Sequence, residues 1–208
     1  VLLFGDGHYD YRSIRITNSP NWIPPFEITS SLNREIENRE TDNFYVAMGM
    51  GGSLANIDPT LSIARLPVNN IEQIEIYRDK AEKYQESFLV DEEKNGWQTL
   101  LTFVSDDESG GSGSNTELIW HLKPTEDIIR TQIPSKFNIS KIYLHDYDKV
   151  PGGLGRWKPK ATDDLINQIN RGTLMINYFG HGDPDTWAHE SVLNRSRDLP
   201  KFQNEYRL

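Results

Sequence analysis

The stretch Leu174–Asn194 (LMINYFGHGDPDTWAHESVLN) sets a histidine, His181, between Gly180 and Gly182, directly after the apolar run Leu174–Phe179. An imidazole exchanges its proton near neutral pH, which suits it to general base and acid work. The flanking glycines have no side chain to pack against the ring, and they let backbone approach a bound substrate. The N–H of Gly182 can donate to a developing oxyanion, a role that needs no side chain. A histidine presented in this way needs a nucleophile and an orienting carboxylate. Asp106 and Asp107 follow the apolar run WQTLLTFV at 97–104 and are the candidates for the carboxylate; a solvated turn or a helix cap explains the pair equally well. The obvious thiol partner is missing, because the sequence contains no cysteine. No GxSxG surrounds Ser105 or Ser191, so neither serine is expected to replace it.

Other clusters carry weaker chemistry. A metal reading would take His181, Asp183, Asp185 and His189 as ligands, but no HExxH accompanies them. No metal site is therefore expected, and His189, beside Glu190, is read as a packing or surface residue. Asp6, His8 and Asp10 alternate in GDGHYDY as oxygen ligands of calcium loops do, without the rest of an EF-hand. Hydrogen bonding within that loop is the simpler reading. The glycine clusters at 49–53 and 152–155 are not followed by helix starts, so neither is a phosphate loop or a dinucleotide fingerprint.

A net charge of −9 without a Lys/Arg-rich stripe argues against a nucleic-acid partner. The 36% hydrophobic content over 208 residues is enough to bury a real core. Zero cysteines exclude disulfides and thiolate metal sites. No apolar run approaches the roughly 18 residues that span a bilayer, and no signal peptide opens the sequence. Val1 begins directly in an apolar strand and Leu208 ends EYRL, so both ends read as cuts in a longer chain.

Those candidates need elements to hold them. Strands are expected at 1–5, 61–66, 97–104, 141–144 and 174–179, with a short one at 44–48. The segment 22–32, with two consecutive prolines, reads as connector or edge strand. Helices are expected after Asn69 or Asn70, over 117–133 despite Pro124, after a Thr162 cap and ending at Gly172, and from Asp185 to about Leu193. The tract SDDESGGSGSN is the flexible loop. Alternating strands and helices give an α/β fold: a mainly parallel sheet flanked by helices on both faces. Ligand crevices in such sheets lie beyond the carboxyl ends of the strands. His181 and the Asp106–Asp107 pair both fall there.

FGDGHYDYR, LSIARLPV, LTFVSDD and NYFGHGDPDTWAHESVL, in this order, resemble the gingipain-type cysteine peptidases of the caspase-like clan, most of all the type IX secretion sortases of Bacteroidetes. The resemblance runs from Val1 to Leu208 and implies a peptidase domain with a first lobe over about 1–95 and the start of a catalytic lobe over 96–208. It implies His181 as the catalytic histidine, Gly182 as an oxyanion donor, and Asp107 or Asp106 as the orienting acid, with Asp107 preferred. It implies a nucleophilic cysteine at the end of a strand beyond LPKFQNEYRL, so the chain itself is expected to be an inactive fragment. No cofactor is required, and structural calcium is compatible with the family. The implied substrates are C-terminal secretion domains of cargo proteins, cleaved at the outer-membrane surface, with other secretion components as partners. The alternative is a non-catalytic relative that binds peptide or protein. An uncovered edge at Leu174, Ile176 and Tyr178 would favour a homodimer.

Overall fold

The computed structural model describes residues 1–27, 40–48, 59–90, 92–107, 118–152, 155–204 and 207. The glycine cluster 49–53, most of the flexible tract after Asp107 and the centre of the 152–155 cluster lie outside them. The chain divides into two compact units, Val1–Asp79 and Lys80–Leu208. No helix among the described residues is long and apolar enough to cross a membrane.

In the first unit, β1 (Leu2–Phe4), β2 (Phe26–Glu27), β3 (Glu40–Thr41) and β4 (Ala64–Leu66) precede α1 (Ile71–Val90). β1 and β4 pair in parallel, and β2 and β3 pair antiparallel. Arg65 ties them together: it donates to the carbonyls of Gly5 (2.7 Å) and Ile23 (2.8 Å) and grips Asp42 with two nitrogens (2.8 and 2.5 Å). A planar guanidinium suits that multiple, partly buried contact. Asn70 caps α1 by accepting from the Gln73 N–H at 2.9 Å. Residues Asn43–Val46 form a 3₁₀ turn where a short strand was expected. Asp6 and Asp10 do bond within their own segment: Asp10 accepts the N–H groups of Arg15 and Ile16 at 2.6 and 2.8 Å, and Asp6 that of Gly7 at 2.9 Å.

The second unit holds β5 (Leu100–Ser105), α2 (Leu118–Gln132), β6 (Asn138–Tyr143), β7 (Val150–Gly152), β8 (Gly155–Trp157), α3 (Pro159–Arg171), β9 (Met175–Phe179), β10 (Thr186–Trp187), β11 (Leu193–Asn194) and α4 (Arg195–Asp198). β5 is central and pairs in parallel with β6 on one side and β9 on the other. Alternation along β5 sends Thr102 and Val104 to one face, Leu101 and Phe103 to the other. Val104 packs with Ile142, Ala161, Leu165 and Ile169, so α3 covers that face. Leu101 and Phe103 pack with Tyr143, Leu122 and Ile129, so α2 covers the opposite one. This is the expected α/β sheet with helices on both faces.

Two helix expectations are corrected. α3 begins at Pro159, with Lys158 as its N-cap residue, and Thr162 is buried inside it rather than capping it; proline fits the first helical position because no N–H is needed there. The span 185–193 holds β10 and the start of β11, paired as an antiparallel hairpin, not a helix. Asp183 starts the hairpin by accepting the N–H groups of Asp185 (2.7 Å) and Thr186 (2.8 Å), bonds that compete with a helical turn. Gly172 ends α3 as expected, at φ 96°.

Leu165 is fully buried between α3 and the sheet. Leu165→Ala should lower the unfolding free energy by about 3 kcal/mol in urea titrations. A loss below about 1 kcal/mol would contradict the packing of α3 on this face.

Candidate active site

The order β6–β5–β9 sets the place of the site. The chain steps from β5 to β6 through α2, then crosses back by α3 to β9 on the far side of β5. The carboxyl ends of β5 and β9 therefore meet where the winding reverses, which is where open α/β sheets form their crevice. Asp106 directly follows β5, and Gly180–His181–Gly182 directly follows β9.

The Asp106 N–H donates to the Phe179 carbonyl at 3.1 Å, continuing the β5–β9 ladder past the strands. Its carboxylate then turns back: Oδ2 accepts the His181 backbone N–H at 3.1 Å, and Oδ1 accepts the Asp107 N–H at 2.8 Å. The His181 ring stands over the same carboxylate, with Nδ1 3.8 Å from Oδ2. That is ion-pair reach rather than a formed hydrogen bond. The Asp106 side chain is 1% exposed and the His181 side chain 51%, so a buried anion sits behind a solvent-accessible imidazole. The His181 carbonyl is fixed as well, accepting from the Ala188 N–H (2.8 Å) and the Tyr178 hydroxyl (2.5 Å). Tyr178 in turn stacks on Trp187, with centroids 4.5 Å apart.

Both glycines have steric reasons. A Cβ on Gly180 would lie 2.4 Å from the Asp106 Cβ and 2.5 Å from the Tyr178 hydroxyl, so only glycine lets the loop close on the carboxylate. A Cβ on Gly182 would sit 3.0 Å from the Thr186 carbonyl oxygen. Gly182 opposes Trp187 in an antiparallel bridge whose hydrogen bonds run through the flanking residues, Asp183 to Thr186 (2.9 Å) and Ala188 to His181 (2.8 Å). In a pair of that kind the residue's own N–H points away from the partner strand. The Gly182 amide is thus directed outward.

Asp107 is engaged differently. Lys158, 1% exposed, holds its Oδ2 at 2.5 Å and also donates to the Leu144 carbonyl. Lys149 stands 3.5 Å from Asp107 and 3.9 Å from Glu190, which is itself 2% exposed. Burial, and after it the negative Asp107, push the Glu190 carboxyl above its ordinary range. Of the two candidate acids, the structure places Asp106 beside His181, while Asp107 pairs with the buried lysine.

Two further imidazoles border His181. His189 lies against one face at 5.9 Å between centroids and is exposed, and His121 meets the ring edge-on at 5.1 Å and is buried. His121 was not among the sequence candidates. Its signal was position alone: the first turn of the helix after β5 lies at the carboxyl end of the sheet. Asp106, His121 and His181 could hold a metal, as could Asp106, Asp107 and Glu190, although lysines already face the second group. Neither described group contains Asp6, His8, Asp10, Asp183, Asp185 or His189.

The family model for peptidase family C25 matches residues 1–208, and so covers this sheet, both strand ends and the histidine loop together. The chain belongs to family C25. No curated protein and no solved structure gives a match. C25 is the gingipain-type family of cysteine peptidases, and the α/β sheet with flanking helices agrees with its caspase-like fold.

Gly180→Ala should destabilise the C25 chain by about 2 kcal/mol, read by thermal or urea unfolding, because the loop must move off Asp106; an unchanged stability would contradict the close approach. Asp198 anchors the other end of the hairpin, accepting from Asn194 N–H (2.8 Å), Arg197 (2.6 Å) and Lys201 (3.0 Å). Burial opposes its charge, but those donors hold the carboxyl at about 2. A carboxyl depressed in the folded state stabilises above its unfolded pKa of about 4, and that contribution is lost as pH falls towards 2. Asp198→Asn should therefore cost about 2–3 kcal/mol near pH 7, with the difference shrinking as the pH approaches about 2. A difference independent of pH in urea titrations would contradict this role.

Proposed function

We propose that this chain carries the histidine half of a cysteine-peptidase centre. His181 acts as general base towards a thiol and then as general acid towards the leaving amine. Asp106 holds the loop and stabilises the imidazolium from beneath, and the Gly182 N–H donates to the oxyanion. The observation that carries this reading is the half-exposed imidazole over the buried Asp106 carboxylate at the β5–β9 strand ends of a C25 chain. The alternation of an exposed base over a buried acid is the arrangement that nucleophile–histidine–acid sets use.

The sequence has no cysteine, so the thiol must be supplied by residues other than these 208. β9 is one of the two outer strands of the three-stranded sheet among the described residues, and its Met175 and Phe179 are 40% and 43% exposed. A further parallel strand pairing on that edge would end beside His181, which is where a thiolate would need to stand. The same open edge supports self-association of the chain taken alone. The thiolate attacks a peptide carbonyl, the C–N bond breaks as His181 protonates the amine, and water or a second amine resolves the thioester. Protein or peptide is the substrate class. Cleavage of C-terminal secretion domains at the outer-membrane surface, with other secretion components as partners, is the finer reading and rests on the resemblance of NYFGHG and WAHESVL to secretion sortases. Structural calcium remains compatible with it.

The missing thiol favours a second reading, a C25 relative that binds peptide at the same crevice without cleaving it. The reading frame past Leu208 separates the two. A peptidase predicts a cysteine at the end of the next strand, and a frame without one supports the binding relative. On a cysteine-bearing chain, His181→Ala should lower kcat/KM by about 10²–10⁴-fold or more. Asp106→Asn should cost about 10²-fold or more, and more than any change at His189. Full activity of His181→Ala would end the peptidase assignment for this site.

A further inference from the structure

The peptidase reading gives His121 no part, yet this imidazole is built into the site. It lies in the first turn of α2, is 8% exposed, and its Nδ1 is buried without a hydrogen-bond partner. An unpaired buried ring nitrogen costs about 1–3 kcal/mol, so its placement calls for a partner. Phe179 packs against the ring edge-on at 5.2 Å, and His181 meets it at 5.1 Å. Asp106, His121 and His181 each offer a ligand atom, and all three atoms lie within 4.8 Å of one another.

Two imidazoles and one carboxylate are a nitrogen-rich donor set of the kind that holds zinc with one position open. Calcium and magnesium prefer all-oxygen shells, and the set has no thiolate to favour Cu(I). We infer that Asp106, His121 and His181 form a zinc site. Zinc bonds of about 2.0–2.1 Å at tetrahedral angles set ligand atoms about 3.4 Å apart. Asp106 Oδ2 and His181 Nδ1 are already 3.8 Å apart, and the half-exposed His181 ring can rotate to close the rest. The Asp107 N–H, donating to Asp106 Oδ1 at 2.8 Å, orients the carboxylate as outer-shell donors orient metal ligands.

The consequence rests on the peptidase reading of the same residue. A zinc ion that takes the His181 lone pair removes the base, and its open fourth position suits a thiolate, so zinc would hold the peptidase off until it is withdrawn. Metal binding itself does not depend on that reading and is measured on the cysteine-free chain.

The test is zinc titration of the 208-residue chain by calorimetry, with cobalt absorption and the histidine ring NMR signals as separate readouts. The expected result is one zinc per chain, a tetrahedral cobalt spectrum, and shifts at His121 and His181 together. His121→Gln and His181→Gln should each weaken binding by about tenfold or more, while His189→Ala leaves it unchanged. The second variant guards against misfolding, because the His181 side chain is 51% exposed. Absence of saturable zinc binding, or equal affinity in His121→Gln, overturns the site. A chain that binds zinc as described while its cysteine-bearing form stays inactive without metal would count against the peptidase reading alone.

Discussion

The buried carboxylate of Asp106 is the constraint on which the site depends. Residues 75 positions apart are brought together because β5 and β9 are parallel neighbours whose ladder runs one step past the strands. The carboxylate then accepts two backbone N–H groups, one from each strand end, and so fixes the entry of the histidine loop relative to the central strand. Charge-assisted bonds of this kind are stronger than neutral ones, and burial keeps water from competing. Gly180 belongs to the same constraint, since any larger residue would lift the loop from the acid. The Tyr178 hydroxyl and the Ala188 amide hold the far side of His181. The His181 backbone is thus held on both sides, while its half-exposed ring keeps freedom to turn.

A second constraint is electrostatic. Asp106, Asp107 and Glu190 are all nearly buried and offer carboxylate oxygens within 4.8 Å of one another. Three anions so close would neutralise one another by taking up protons unless cations entered with them. Lys158 enters fully, at the turn into α3, and Lys149 enters part way. The lysines take Asp107, which leaves Asp106 to the histidine. The division of labour between two adjacent aspartates follows from where the cation is anchored: Lys158 is tied to the Leu144 carbonyl at the end of β6, on the opposite side of β5 from β9.

Much of this was legible in the sequence, for reasons that can be named. The run Leu174–Phe179 and the GHG that follows made β9 and its loop legible because a short, mostly apolar segment stopped by glycine reads as a strand and its end. The placement of both aspartates at a strand end followed from WQTLLTFV in the same way. What failed was local chemistry set by distant partners. Thr162 is a good cap residue by type, but Pro159 and the recruitment of Lys158 to Asp107 start α3 earlier. Residues 185–193 have helix-compatible side chains, yet Asp183 bonds the turn, and Ala188 and Ser191 take positive φ of 59° and 51°, which a helix forbids. The choice between Asp106 and Asp107 was not legible, because it depends on a lysine 51 positions away. His121 was missed because it sits on a helix facing the sheet, where a histidine passes for packing.

The central claim is that His181, fixed by Asp106, stands ready to serve a thiol on the open side of β9. A crystal structure of the cysteine-bearing protein trapped with a peptide aldehyde tests it most directly. The account predicts a hemithioacetal whose sulfur lies within hydrogen-bond distance of the His181 ring, its oxygen facing the Gly182 N–H, and Asp106 still bonded to the His181 backbone. A trapped thiol away from His181, or a loop released from Asp106, would contradict it.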